Sequence, residues 1–237
     1  MPLSRVLEVE VMDTAAEAAD YNSMDHSAVN ALFAQDLLTA LASGGVQERG
    51  REPPDTIERE LHILDLGTGT ALIPIELCLR VSHCRVLAVD LAAHMLELAG
   101  KNVAAAGLAS RIKLEQIDAK ALPFTNSRFD VVMSNSIIHH IPEPVQSLRE
   151  AVRVTKLGGL LFFRDLLRPD DVATLTHLVE TYAGSENFHC RQMFADSLHA
   201  ALSLGEIRDL ISELGFSAAS VQPTSDRHWT WIGRKVG

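Results

Sequence analysis

Apolar and polar positions follow three different rhythms along the chain. From Ala15 to Leu41 the apolar residues recur at helical spacing, with Val29, Leu32, Phe33, Leu37, Leu38 and Leu41 on one stripe, which predicts one or two helices. Residues 43–60, SGGVQERGREPPDTIERE, break that stripe with Gly, Pro and charge and predict a surface loop. From Leu61 short apolar runs alternate with helix-length segments: LHILDLG, a helix through Arg80, RVLAVDL, a helix to about Ala106, then IKLEQID. FDVVMSNS, a helix near 144–156 and LLFFRDLL continue the series. Strand and helix repeated in this way predict an α/β fold, a doubly wound parallel sheet with helices on both faces.

Beyond Pro169 helix-like stretches run to about Leu202. In SLGEIRDLISELGF, Ser203 and Glu206 have the spacing of a capping box and Gly215 that of a C-terminal stop. The tail holds SAASVQ and HWTWIGRK around PTSDR, a candidate closing pair of strands. The chain therefore divides into an N-terminal helical segment (1–42), a loop (43–60) and one α/β domain (61–237). An insertion at about 168–203 precedes the last helix.

Composition narrows the class. Hydrophobic residues make up 47% and charged residues 22% of the 237 positions, which is ordinary globular usage. No window reaches the roughly 18 apolar residues of a membrane span, and the N-terminus lacks the basic and apolar blocks of a signal peptide. A cytoplasmic protein without stable membrane association is expected. Cys78, Cys84 and Cys190 fit neither a zinc ribbon nor a CxxC pair and are expected as reduced structural thiols. A formal charge of −10, with no basic run to offset it, disfavours nucleic acid as a substrate.

The chemistry gathers where the predicted strands end. After HILDL the chain turns through Gly67 and Gly69, positions where a missing Cβ lets backbone approach a ligand closely. A dinucleotide fingerprint would place a third glycine where this chain has Leu72. The next strand ends at Asp90, about twenty residues on, where a carboxylate can accept bonds from both hydroxyls of a ribose. The third ends at Asp118 and Ala119 on the same edge.

Together, DLGTGTA, VLAVDLAAHML, QIDAKALPF, FDVVMSNSIIHHIPEP and LGGLLFF resemble the ordered motifs of the class I S-adenosylmethionine-dependent methyltransferases, over about residues 61–163. Within that family the block is similar to the ubiquinone and menaquinone branch. The resemblance implies a mostly parallel, seven-stranded sheet with an N-terminal helical lid, and S-adenosylmethionine as cofactor. It implies that Asp65, Gly67 and Gly69 hold the methionine part, Asp90 the ribose, and Leu91 or Met95 a face of the adenine. Asp118 and Ala119 would meet the adenine amino edge, and Asn135 would line the pocket near the transferred methyl. Ala71 departs from the family, which often has glycine there. Tyr21, Met24, Asp25 and His26 fall in the region resembling the lid, with Tyr21 a candidate to close over the cofactor.

For the acceptor, positioning supplies much of the barrier reduction that methyl transfer needs. Ser134-Asn135-Ser136-Ile137 lacks the two prolines and aromatic typical of enzymes that methylate an exocyclic amine in nucleic acid. A small-molecule acceptor is therefore expected. His139 and His140 follow on the same edge, where an imidazole could take a proton. Arg164 and Asp165 could orient a polar substrate or pair with each other, and Arg164 or Arg191 could bind a carboxylate. The insertion, with His189, Arg191, Gln192, Met193 and Phe194, is the expected acceptor pocket. The 10 histidines show no HxH or HxxxH spacing, so no metal site is expected. The competing readings are a nicotinamide-dependent oxidoreductase on the same sheet and a non-catalytic S-adenosylmethionine-binding protein.

Overall fold

The computed structural model describes residues 3–8, 13–23, 26–43 and 59–237. Most of the loop expected at 43–60, together with Met24 and Asp25, lies outside the described residues.

Seven strands form one sheet in the order β3-β2-β1-β4-β5-β7-β6. They are β1 (Leu61–Leu66), β2 (Cys84–Asp90), β3 (Ile112–Gln116), β4 (Phe129–Asn135), β5 (Thr155–Leu166), β6 (Val221–Pro223) and β7 (His228–Arg234). The first five run parallel, and β7 is antiparallel to both β5 and β6. The closing strand pair predicted from the tail forms, although Ala218–Ser220 is a 3-10 turn and only Val221–Pro223 is strand.

Strand alternation sorts the core into two layers. Leu64, Leu66, Val132, Leu161 and Phe163 point to one face, which α5 (Val145–Val154) and α8 (Leu204–Glu213) cover with Leu148, Ala151, Ile207 and Ile211. Trp229 and Trp231 of β7 complete that layer. Ile63, Val86, Ala88, Val131, Met133 and Phe162 point to the other face. There α2 (Ser27–Ser43), α3 (Leu72–Arg80) and α4 (Ala93–Ala105) cover them with Phe33, Leu37, Leu77, Ala99 and Val103. Burial on both faces is why β1, β2 and β4 read as nearly continuous apolar runs.

Several boundaries move once packing is visible. On α2 the buried line is Phe33, Ala34 and Leu37, while Val29 and Leu32 are 38% and 55% exposed, because the helix meets the sheet along one narrow edge. On α5 the fully buried positions are Ser147, Leu148, Ala151 and Val154; Val145 and Val152 are half-buried. The fifth strand begins at Thr155 rather than near Leu160, entering through a register shift opposite Phe129 and Val131. Asp118 lies beyond β3, which stops at Gln116.

Helix α1 (Ala15–Ser23) lies against α4, where Ala18, Ala92 and Met95 form a small apolar cluster. Residues 172–200 hold α6 (Val172–Ala183) and α7 (Phe188–Ala200), which share a separate apolar cluster with Leu166. The extended segment 3–8 crosses to this part of the chain, with the Leu3 amide donating to the Asp170 carbonyl and the Val6 amide to that of His199, each at 3.1 Å. All three cysteines are buried free thiols.

The capping box at the start of α8 is present: the Ser203 hydroxyl accepts from the Glu206 amide at 3.3 Å, and the Glu206 carboxylate from the Ser203 amide at 2.8 Å. Ser203→Ala removes one half of it and is expected to cost about 1 kcal/mol. Thermal unfolding followed by circular dichroism should show Tm lower by about 2–4 °C.

Candidate active site

The strand order reverses direction between β1 and β4, and open α/β sheets bind ligands at that crevice. The Gly-rich turn leaves β1 there. Gly67 has φ +68, and a Cβ on it would stand 1.9 Å from Cγ2 of Ile137, just beyond β4. Glycine is therefore required at 67 by the backbone conformation and by the close approach of the chain leaving β4. Gly69, at φ +54, donates its amide to Oδ2 of Asp90 at 2.7 Å, and Ala92 donates to Oδ1 at 2.9 Å. Hydrogen bonds to a charged group contribute roughly 1.5–3 kcal/mol each, so Asp90 ties the turn after β1 to the start of α4. Ala71 adopts φ 62 and ψ 25 with its methyl fully buried, a left-handed conformation that glycine would take without strain.

Three acidic or potentially acidic groups meet around the turn. Asp65, 3% exposed at the end of β1, is pushed up to about 7 by burial and by the neighbouring Asp90 carboxylate, with the Thr68 hydroxyl opposing. Asp90 is itself raised by burial, which the Ala92 and Gly69 amides and the neighbouring His140 only partly offset. Burial, then Asp90 and Asp65, raise the Tyr21 hydroxyl. The Tyr21 ring reaches within 3.7 Å of where a Cβ on Gly69 would sit and stacks on His26 at 4.6 Å between centroids. The structure brings Tyr21, Asp65, Gly67, Gly69 and Asp90 together around this turn.

The rest of the expected cofactor set is distributed around that turn. Met95 is buried beneath α1, and Leu91 is 37% exposed on the loop after β2. Asp118 accepts from the Lys120 amide at 2.8 Å and pairs with its Nζ at 3.1 Å, while Ala119 packs against the β1–β4 side of the core. Asn135 ends β4, half-buried, next to Ser134, whose hydroxyl donates to the Leu66 carbonyl.

Of the two alternatives for Arg164 and Asp165, their pairing with each other does not occur, because consecutive strand residues face opposite sides of the sheet. Arg164 donates to Asp36 of α2 at 2.6 Å and to the Thr230 hydroxyl at 2.9 Å, and lies over the rings of Phe33 and Phe162. Its guanidinium is used to dock α2 and is closed to a substrate carboxylate. Asp165, 1% exposed, accepts from His139 Nδ1 at 2.5 Å and from the Ile138 and Leu166 amides at 2.5 and 2.6 Å.

His139 is enclosed as well: its Nε2 faces Glu8 at 3.5 Å. Burial disfavours its charge, yet Asp165 first and Glu8 next hold its basicity above the ordinary imidazole value. His139 is 3% exposed with both ring nitrogens facing carboxylates, so it shapes the turn and presents no free nitrogen to a substrate. His140 is half-buried, with Nδ1 3.0 Å from Oε1 of Glu8. Sequence reasoning missed Glu8, and Arg5 beside it. Arg5 donates to the carbonyls of His139, Ile141, Pro142 and Ala200 and so straps segment 3–8 across the turn. No local signal marks either residue, since their partners lie at the other end of the chain. In the insertion, Arg191 and Gln192 line a groove of about 350 Å3 between α6 and α7, together with Val179, Glu186, Phe188 and Ala195.

A seven-stranded sheet in this order, with a Gly-rich turn tied to an acid after β2, defines a class I nucleotide-cofactor fold. Residues 64–163 match the methyltransferase domain family. The chain is 34% identical to the chloroplastic 2-methyl-6-phytyl-1,4-hydroquinone methyltransferase 2 of Oryza sativa subsp. japonica, over 46% of this chain and 30% of that protein. It is 29% identical to a tRNA1(Val) (adenine(37)-N6)-methyltransferase of Vibrio vulnificus, over 71% of this chain and 72% of the relative. A solved S-adenosylmethionine-dependent methyltransferase of Aquifex aeolicus shares the fold with a TM-score of 0.65 at 16% identity, over 94% of this chain and 99% of that one. The chain spans under a third of the hydroquinone relative's length. Over residues 64–163 the chain is similar to S-adenosylmethionine-dependent methyltransferases, and the nicotinamide reading is not favoured.

The residues present fit that cofactor. The Thr70 hydroxyl is buried beside the turn with no partner among the described residues, a donor that a ligand can use. Each Asp90 oxygen accepts one amide and retains acceptor capacity for a ribose hydroxyl.

Asp65 makes the site sensitive to pH. A carboxyl raised in the folded state binds more protons there than in the unfolded chain, so its contribution to stability is full below about 4 and is lost as pH rises through about 7. The ligand-free protein should lose roughly 4 kcal/mol across that window, and Asp65→Asn should flatten the slope in denaturant titrations. Affinity for the cationic cofactor should rise over the same interval, read by titration calorimetry from pH 5.5 to 8.

Proposed function

We propose that this protein transfers the methyl group of S-adenosylmethionine to a small-molecule acceptor by in-line displacement. The observation that carries the reading is the convergence of Asp65, the Gly67–Gly69 turn and Asp90 on the crevice between β1 and β4. When bound, the cofactor supplies an electrophilic methyl on a sulfonium. Asp65 and the turn would hold its methionine part, with the Asp65 carboxylate ionised against the ammonium. Asp90 would hold the ribose, Leu91 and Met95 would flank the adenine, and Asp118 with Ala119 would meet its amino edge. Asn135 would stand nearest the transfer. Tyr21 and α1 would act as the lid, excluding water from the turn they already cover.

The acceptor side would be bounded by the 3-10 turn at Ile138–His140, by segment 3–8 and by the helices α6 and α7. His139 and Asp165 act there as positioning residues, and His140 is the imidazole with an exposed edge. The net charge of −10 and the SNSI sequence at the end of β4 support a small acceptor over nucleic acid. The fold assigns no base, in keeping with a reaction in which alignment alone can supply roughly 7–11 kcal/mol. Domain limits of 1–42, 43–60 and 61–237, with an acceptor-site insertion at about 168–203, and a cytoplasmic location belong to the same proposal.

Titration calorimetry with S-adenosylmethionine, S-adenosylhomocysteine and NADH tests the cofactor. Both sulfur ligands should bind, and Asp90→Ala should weaken them at least tenfold. Binding of NADH in their place would overturn the reading. Release of S-adenosylhomocysteine, followed by mass spectrometry, should then depend on small acceptors such as hydroquinones. Turnover on tRNA and on no small acceptor would replace the proposed substrate class.

A further inference from the structure

We propose that Glu8, His139 and His140 form a binding site for a divalent transition-metal cation of the zinc type, with Asp165 as the outer partner that orients His139. One ligand atom from each of the three lies within 4.8 Å of the other two. Oε1 of Glu8 is 3.5 Å from His139 Nε2 and 3.0 Å from His140 Nδ1. Ligands about 2.0–2.1 Å from a tetrahedral zinc stand about 3.4 Å from one another, so closing the set around an ion needs shifts of well under an ångström for the Glu8 pairs. Two imidazoles and a carboxylate are the donor set of open zinc sites, in which a further position is left for an external oxygen ligand. Imidazole donors also favour such ions over magnesium or calcium.

Three features of the surroundings show a site that is held in place. The Asp165 carboxylate accepts from His139 Nδ1 and is fixed in turn by two backbone amides, the carboxylate–histidine pairing that orients metal-binding imidazoles. With Nδ1 directed at Asp165, Nε2 is the ring nitrogen left facing the Glu8 carboxylate. The His140 Nδ1 atom is buried and makes no well-aligned hydrogen bond. Arg5, with its four carbonyl partners, fixes the strand that carries Glu8, and the Ser197 hydroxyl lies 3.3 Å from the Glu8 carboxylate. The cluster is close to the Gly-rich turn through Ile137, whose side chain occupies the space that a Cβ on Gly67 would take. Cation binding by this cluster is independent of the methyl-transfer reading.

The test uses the full chain after treatment with a chelator, titrated with Zn2+ and with Co2+ as a spectroscopic probe. One Co2+ should bind with the intense visible absorption of a four- or five-coordinate site, and Zn2+ should displace it and raise Tm. Glu8→Gln and His140→Asn should each weaken Zn2+ binding at least a hundredfold and abolish the absorption. Asp165→Asn should weaken it roughly ten- to a hundredfold. His177→Asn, which removes an exposed histidine of α6, should change nothing. Circular dichroism establishes that each variant is folded, and if Glu8→Gln is not, His140→Asn decides. The proposal is overturned if Co2+ shows only weak octahedral absorption, or if folded Glu8→Gln or His140→Asn binds Zn2+ as tightly as the parent. S-adenosylmethionine binding, measured separately, should survive His140→Asn, so failure of the metal site is distinguishable from failure of the cofactor assignment.

Discussion

The absence of a single β-carbon at Gly67 determines how the two halves of the sheet meet. The chain leaving β4 places Ile137 in the volume that any other residue at 67 would fill, and this contact lies where the strand order reverses. Because the turn is clamped there, Gly69 can present its amide to Asp90 and α3 can start directly after Ala71. The same contact fixes Ile137 beside the 3-10 turn that carries His139 and His140. The Gly-rich turn and the 3-10 turn thus share one steric constraint, the contact of Gly67 with Ile137.

Around that constraint the protein concentrates ionisable groups that it does not neutralise with cations. Asp65 and Asp90 are raised by burial near Tyr21, and among the described residues no lysine or arginine is a hydrogen-bond partner of either. The arrangement is unfavourable in the ligand-free protein and favourable for a cationic ligand, so stability and affinity oppose each other at the same residues. Arg164 shows the reverse use of charge. It is the arginine closest in sequence to the expected chemistry, yet its bonds to Asp36 and Thr230 serve to seat α2 on the sheet.

The parts of the site that sequence reasoning located share a physical property: each functional residue lies within a few positions of the strand end that places it. Gly67, Gly69 and Asp90 follow from strand periodicity, glycine's backbone freedom and the length of a β-α-β unit, all of which are local, while Asp65 came with the motif resemblance. The residues misassigned or missed do not have that property. Pairing of Asp165 with its neighbour Arg164 was one of two alternatives because adjacency is visible in a sequence, whereas strand alternation sends the two to opposite faces. Glu8 and Arg5 act on residues from the far half of the chain, and nothing near them in sequence records it.

The sequence by itself determined the α/β class, the position of the Gly-rich turn, the acid after β2 and the capping box of α8, because these depend on hydrophobic period and short-range stereochemistry. Only the tertiary structure decided that Arg164 is structural, that His139 is enclosed between Asp165 and Glu8, and that Glu8, His139 and His140 converge. Those outcomes depend on where an N-terminal strap crosses a turn more than a hundred residues later, and such a crossing is set by the packing of the whole chain rather than by any window of it.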